Sequence, residues 1–282
     1  LHSFMNSDYN VVLKARQLGL STLTAGYALW MMTFQHDKNI LVIATKQDTA
    51  KNLVTKVRVM HANLPGWLKQ PCVEDNKLSL RYKNGSQIKA VASSEESGRS
   101  EALSLLIIDE AAFIDKIDTI WAASQQTLAT GGRALIISTP NGVGNFFHKV
   151  WTEAESGIND FNFIRLHWSL HPDRDETWRK EQDKLLGPSL AAQECDCDFI
   201  TSGRSVIDGL ILERIRENDV REPMERRGID SNYWIWQPPN YTKNYVVSAD
   251  VSRGDGTDYS AFHIIDVETL EQVAEYRGKI ST

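Results

Sequence analysis

The chain has 282 residues, 41% of them hydrophobic and 24% charged, enough to bury a sizeable core and to build more than one domain. It contains no run of about eighteen apolar residues and no signal-peptide pattern, which argues against a membrane-spanning helix and against secretion. Three cysteines make no disulfide framework, and a net charge of -6 gives no overall basic footprint of a nonspecific nucleic-acid binder.

In chain order, residues 10–13 are a short apolar strand, followed by Lys14-Ala-Arg-Gln-Leu-Gly19-Leu-Ser-Thr22 and a helix expected over 23–32. Against the phosphate-loop pattern G-x-x-x-x-G-K-[ST], Gly19 fills the second glycine and Ser21 the magnesium hydroxyl, with Gln17 and Thr22 in the same segment. Backbone N–H groups at the helix start can cradle phosphate. Leu20 stands where the lysine belongs, and Lys14 where the first glycine belongs. A long side chain leaving the strand at Lys14 can curl over the same anion hole, and Arg16 is a second candidate cation. The alternative is an ordinary strand-turn-helix.

Residues 40–44 form a second apolar strand, with a helix expected over 48–60. Between them, residues 45–47 either touch DNA or cap the helix. Residues 78–92, centred on Asn84-Gly85, read as an inserted β-hairpin. Arg99 follows, in Ser-Gly-Arg-Ser. Next comes Leu105-Leu-Ile-Ile-Asp-Glu110, a wholly apolar run ending in two carboxylates. A run without a polar face suits a parallel strand buried on both sides, and ligands of such sheets bind beyond the strands' carboxyl ends. In nucleotide hydrolases the first acid of such a pair holds Mg²⁺ and the second activates water.

A helix is expected over 117–128, then a third buried strand over 134–137 that ends in Ser138-Thr-Pro-Asn-Gly142. Ser138, Thr139 and Asn141 can sense a γ-phosphate there, or form a plain turn. Residues 161–168 are strand-like, 177–186 and 189–195 helical, and 201–205 a small-residue hinge. His167 and His171 suit packing and turn roles better than a metal, because Pro172 argues against a helix. Cys195 and Cys197 read as reduced structural thiols rather than a zinc site, in a reducing cytoplasm.

Residues 245–251 and 259–266 read as an antiparallel strand pair around the Arg253-Gly-Asp-Gly256 turn. An acid within an apolar central strand is costly to bury unless it is paired or binds metal, which singles out Asp250. Asp255 and Asp258 suit turn chemistry, with Asp258 an alternative support for a metal.

Three motifs in this order, Lys14 to Thr22, Leu106 to Ile114 and Ile136 to Gly142, resemble the large terminase of tailed bacteriophages, the ATPase and nuclease that packages DNA into proheads. The stretch from Val247 to Ser260 resembles the opening of that family's nuclease. The resemblance implies an α/β fold: a P-loop NTPase parallel sheet with flanking helices over 1–163, a small helical linker subdomain over 164–210, and the first strands of a ribonuclease-H-like nuclease over 211–282. It implies ATP and Mg²⁺ as cofactors, with a second divalent ion, Mg²⁺ or Mn²⁺, at a complete nuclease site.

By the same resemblance, Lys14 is the displaced phosphate-loop lysine and Arg16 an arginine finger. Ser21 and Asp109 hold Mg²⁺, Glu110 is the catalytic carboxylate, and Ser138 to Asn141 couple hydrolysis to movement. Arg99 is a nucleotide-sensing arginine. The implied partners are double-stranded DNA, the portal protein, a small terminase subunit and further copies in a ring on the portal, in the host cytoplasm. The chain is expected to be truncated at both ends and, as given, unable to cut DNA. A helicase-like remodelling ATPase and a scaffold with a decayed phosphate loop are the alternatives.

Overall fold

The computed structural model describes residues 1–93, 102–199, 209–228, 230–252 and 259–279. A short helix α1 (His2–Asn6) leads into strand β1 (Tyr9–Lys14), helix α2 (Leu20–Phe34), strand β2 (Asn39–Ala44) and helix α3 (Gln47–Ala62). Strands β3 (Cys72–Asp75), β4 (Ser79–Tyr82), β5 (Gln87–Ala92) and β6 (Leu105–Asp109) follow. After them come a 3-10 turn at Ala111–Phe113, helix α4 (Ile117–Leu128), strand β7 (Arg133–Ser138), helix α5 (Phe146–Glu155) and strand β8 (Asn162–Leu166). One eight-stranded sheet results, in the order β3-β4-β5-β2-β6-β7-β1-β8, parallel from β5 to β8.

The apolar runs sit at the centre of this sheet because both of their faces are covered. Val12, Val42, Ile107 and Ile137 join Ala25 and Ala28 of α2 and Leu53 and Val57 of α3 in one core. Val11, Ile43, Ile108 and Ile136 join Ile120 of α4 and Phe147 and Val150 of α5 in another. The 78–92 segment does form a hairpin, with Gly85 at φ 85° in its turn, but it is no separate insertion. Its second strand, β5, pairs in parallel with β2, and β3 extends the sheet although its four residues are all exposed. That exposure is why no apolar pattern announced β3.

Beyond β8, helices α6 (Glu176–Leu186) and α7 (Pro188–Ala191) meet at Gly187, whose φ of 81° suits glycine. A π-helical turn, Ala192–Asp196, completes the segment. Arg179 clamps it by donating to Asp196 at 2.5 and 2.7 Å and to Asp183 at 2.6 Å. Strand β8 runs across residues 163 and 164, so the expected boundary there falls inside a strand bonded to β1.

Contacts divide the chain into two compact units, Leu1–Glu213 and Arg214–Thr282, with helix α8 (Gly209–Asn218) spanning the division. The second unit holds β9 (Glu225–Arg227), β10 (Tyr233–Ile235), β11 (Tyr245–Asp250), β12 (Ser260–Asp266) and β13 (Gln272–Gly278). They form a small antiparallel sheet in the order β11-β12-β13-β10-β9. Among the described residues, no helix is long and apolar enough to cross a membrane.

Candidate nucleotide site

Three strand ends meet at the carboxyl edge of the large sheet. Register places Leu13 opposite Ser138 and Asp109 opposite Ile137, so β1, β7 and β6 finish side by side. Lys14, the last residue of β1, is only 7% exposed, and its Nζ lies 3.1 Å from Glu110 Oε1. The amine and the acid pair, far apart in sequence, thus meet at one edge of the sheet.

The loop between β1 and α2 turns through two left-handed residues, Gln17 (φ 59°) and Gly19 (φ 74°). A non-glycine residue at positive φ is held there at a cost, as at many ligand sites. Gly19 caps α2 without a side-chain acceptor; its carbonyl takes the Thr22 and Leu23 N–H groups, which leaves those of Leu20 and Ser21 for an anion. Leu20 is 6% exposed and belongs to the core beneath α2, which explains why the lysine position of the usual pattern holds a leucine here. Ser21 is half-buried and Thr22 exposed, with Thr22 Oγ1 accepting from Lys56 Nζ of α3 at 3.1 Å.

Arg16 is engaged with an acid of a later segment. Its guanidinium, 64% exposed, forms an ion pair with Glu194 of the π-helical turn, 12% exposed. Its backbone N–H donates to the Glu194 carbonyl at 2.8 Å, while Arg174 Nη1 donates to the Arg16 carbonyl at 3.0 Å. Burial pushes the Glu194 carboxyl up, and Arg16 opposes that shift.

Asp109 is buried, and burial together with neighbouring Glu110 pushes its carboxyl up, opposed by Lys14, the Glu110 N–H and Lys56. Such a carboxylate gains from a cation beside it. Glu110 lies in the left-handed region (φ 56°, ψ 44°), turning the chain out of β6. Ser138 Oγ accepts from Ala112 N–H at 3.1 Å, and Asn141 Nδ2 donates to Ala112 O at 3.0 Å. The loop after β7 therefore grips the turn that follows Glu110. Thr139 Oγ1 is buried with no partner among the described residues.

Asp250 corrects one expectation. It is no buried acid of a central strand: it is the exposed last residue of β11, which pairs only with β12 among the described residues. Val246 and Val247 are exposed on the same strand, because nothing described covers that edge. Arg99, Asp255 and Asp258 lie outside the described residues, as does the expected hinge at 201–205. Cys195 and Cys197 are buried in the core, where burial pushes the Cys197 thiol up to about 12. His167 caps a 3-10 turn by accepting from Ser169 N–H. Lys46 begins α3 with no side-chain cap, so the capping role weighed for 45–47 is not seen at the cap residue.

Two residues at the site carry no sequence signal of their own. Lys56 reads as a solvated helix lysine and Glu194 as one acid among several; only the packing of α3 and of the π-helical turn brings them to the loop.

The family description "Terminase large subunit, T4likevirus-type, N-terminal" matches residues 11–214. The large terminase subunit of Thermus phage G20c is 33% identical over 212 residues, 66% of this chain and 41% of the relative, so the chain spans about two fifths of that protein. The ATPase domain of the Thermus phage P74-26 large terminase superposes with a TM-score of 0.57 at 24% identity, over 69% of this chain and 90% of that one. The large terminase of a thermophilic bacteriophage gives 0.56 at 12% identity, over 98% of this chain and 64% of that one. At these identities the two structures show a shared fold. With the family match over residues 11–214, the chain belongs to the terminase large-subunit family.

Proposed function

We propose that this chain is the ATP-hydrolysing motor part of a phage DNA-packaging terminase. The observation that carries the reading is the 3.1 Å approach of Lys14 Nζ to Glu110 Oε1, beside an uncapped helix start. The thermophilic-bacteriophage large terminase of the same fold is known in complex with ADP and with ATP-gamma-S, which supports an adenine nucleotide as the ligand.

In this reading the N–H groups opening α2 cradle the phosphates, together with Gln17, Gly19 and Thr22, and Lys14 offsets charge that develops on the γ-phosphate. Asp109 and the Ser21 hydroxyl fit Mg²⁺: the acid is buried and its ionised form is disfavoured without a cation, and Mg²⁺ usually takes only one or two protein ligands beside phosphate and water. Held by Asp109 and Ser21, Mg²⁺ would neutralise charge on the phosphates. Glu110 orients water and accepts its proton. Ser138, Thr139 and Asn141 pass changes at Glu110 to α5 and the sheet, and Arg16 becomes a γ-phosphate ligand by leaving Glu194.

The same reading extends to the whole protein. Double-stranded DNA is the cargo, the portal protein and a small terminase subunit are partners, and copies of the chain act as a ring in the host cytoplasm. Asp250, with Asp258 as its support, contributes to a metal-dependent endonuclease of ribonuclease-H-like fold, for which the β11–β12 pair supplies the opening strands. Arg99 acts as a nucleotide sensor. Steady-state ATP turnover tests the core of the proposal: turnover dependent on Mg²⁺ and lost in both Lys14→Ala and Glu110→Gln supports it. A chain that neither binds nor hydrolyses ATP overturns it.

A further inference from the structure

The cations assigned so far leave the anion hole undercharged. A triphosphate stays anionic after binding one Mg²⁺, and at these strand ends it meets two carboxylates, Asp109 and Glu110. Lys14 already faces Glu110, and Arg16 is engaged with Glu194.

Another ammonium reaches the loop from a different element. Leu53, Val54 and Val57 bury one side of α3 against the core and so fix the rotation of that helix. Half-buried Lys56 then projects to the first turn of α2, where its Nζ donates to Thr22 Oγ1 at 3.1 Å, one residue past Ser21. Its charge also reaches Asp109, where it favours the ionised carboxyl. A neutral hydroxyl is a weak partner for an ammonium compared with a phosphate oxygen, so the contact with Thr22 yields readily to a stronger acceptor.

We propose that Lys56 is a second phosphate-binding cation of this site, supplied by α3, which exchanges the Thr22 hydroxyl for a phosphate oxygen of a nucleoside di- or triphosphate. The inference rests on the nucleotide reading above. It also assigns α3 a direct part in ligand binding, so that nucleotide would tie α2 to α3 across the face of the sheet.

The test is equilibrium binding of ATP and of ADP, each with Mg²⁺, to the 282-residue chain, with the melting temperature measured in the absence of nucleotide. Lys56→Gln should weaken both by about tenfold, the scale of one charge-assisted hydrogen bond, and flatten the dependence of affinity on salt. Lys56→Arg should restore most of the affinity. Lys51→Gln, which removes the same charge elsewhere on α3, should bind as the unaltered chain does. The nucleotide-free melting temperature of Lys56→Gln should stay unchanged. Unaltered affinity in Lys56→Gln overturns the inference, as does a loss matched by a lower nucleotide-free melting temperature, the mark of a mere tether between helices. Equal weakening in Lys51→Gln also overturns it, since the effect would then be one of overall charge. Failure of the unaltered chain to bind either nucleotide overturns the nucleotide reading itself.

Discussion

Lys14 Nζ stands 3.1 Å from Glu110 Oε1, so the cation expected at the phosphates holds the acid expected to activate water. On the proposed function an arriving triphosphate would compete for that amine, and its gain would free the carboxylate to orient water. Glu110→Gln should therefore lower ATP turnover by about a hundredfold or more while leaving nucleotide affinity nearly intact. Lys14→Ala should weaken both. Parallel turnover and binding titrations separate the two effects; equal losses of affinity in both variants would remove Glu110 from the chemical step.

The burial of Leu20 makes a restored lysine harmful. Leu20→Ala should cost about 2–4 kcal/mol in chemical denaturation, the usual range for truncating a buried leucine. Leu20→Lys should melt earlier still and gain no ATPase activity, since a core-facing ammonium must be neutralised or expelled. Rising turnover in Leu20→Lys would contradict the displaced-lysine reading.

Ser138 Oγ accepts from the Ala112 N–H, just after Glu110. Ser138→Ala leaves that buried donor unpaired, at a cost of about 1–3 kcal/mol. The loosened turn should reduce kcat more than nucleotide affinity. A Ser138→Ala chain with normal stability and normal turnover would show that the contact matters to neither.

Glu194 tests the route from the phosphate loop to the π-helical turn. Arg16 is largely exposed, so solvent screening limits the stability contribution of its ion pair to under about 1 kcal/mol. Glu194→Gln should thus leave denaturation midpoints almost unchanged, yet alter the KM for ATP by releasing Arg16. Steady-state kinetics reads the change directly, and an unaltered KM would leave Arg16 with a structural role alone.

In the second unit, the Lys243 ammonium bonds Asp266 Oδ2 at 2.5 Å and holds its carboxyl below the ordinary range. A carboxyl depressed in the folded state stabilises fully above its unfolded value, about pH 4, and loses that contribution as pH falls through the depressed folded value. Asp266→Asn should therefore melt below the unaltered chain at pH 7, with the gap closing in acid. Melting curves across that range check the sign.

Much of the large sheet was legible because its central strands are apolar on both faces: residues 40–44, 105–108 and 134–137 all lie inside the observed strands. Strand β3 was not legible, being four residues long, only half apolar and exposed at the sheet margin. The convergence of Lys14 with Asp109 and Glu110 could be argued from strand ends alone, since parallel strands deliver their carboxyl termini to one edge. The left-handed turns at Gln17 and Glu110 could not, because neither residue type announces positive φ. The surroundings of Asp250 were not legible, because an apolar run reads as a covered strand whereas Val246 and Val247 are exposed. Lys56 and Glu194 depend on how helices rotate against the sheet, which a linear pattern of charges does not encode.

Because residue 14 belongs to a strand hydrogen-bonded on both flanks, to β7 and to β8, its amine is mounted on the sheet and not on the loop. In the usual arrangement the counter-ion rides on the glycine turn and moves whenever that turn does. Here the turn can flex around an incoming guest while the point charge stays put, so the timing of loop opening and the strength of anchoring become separately adjustable quantities.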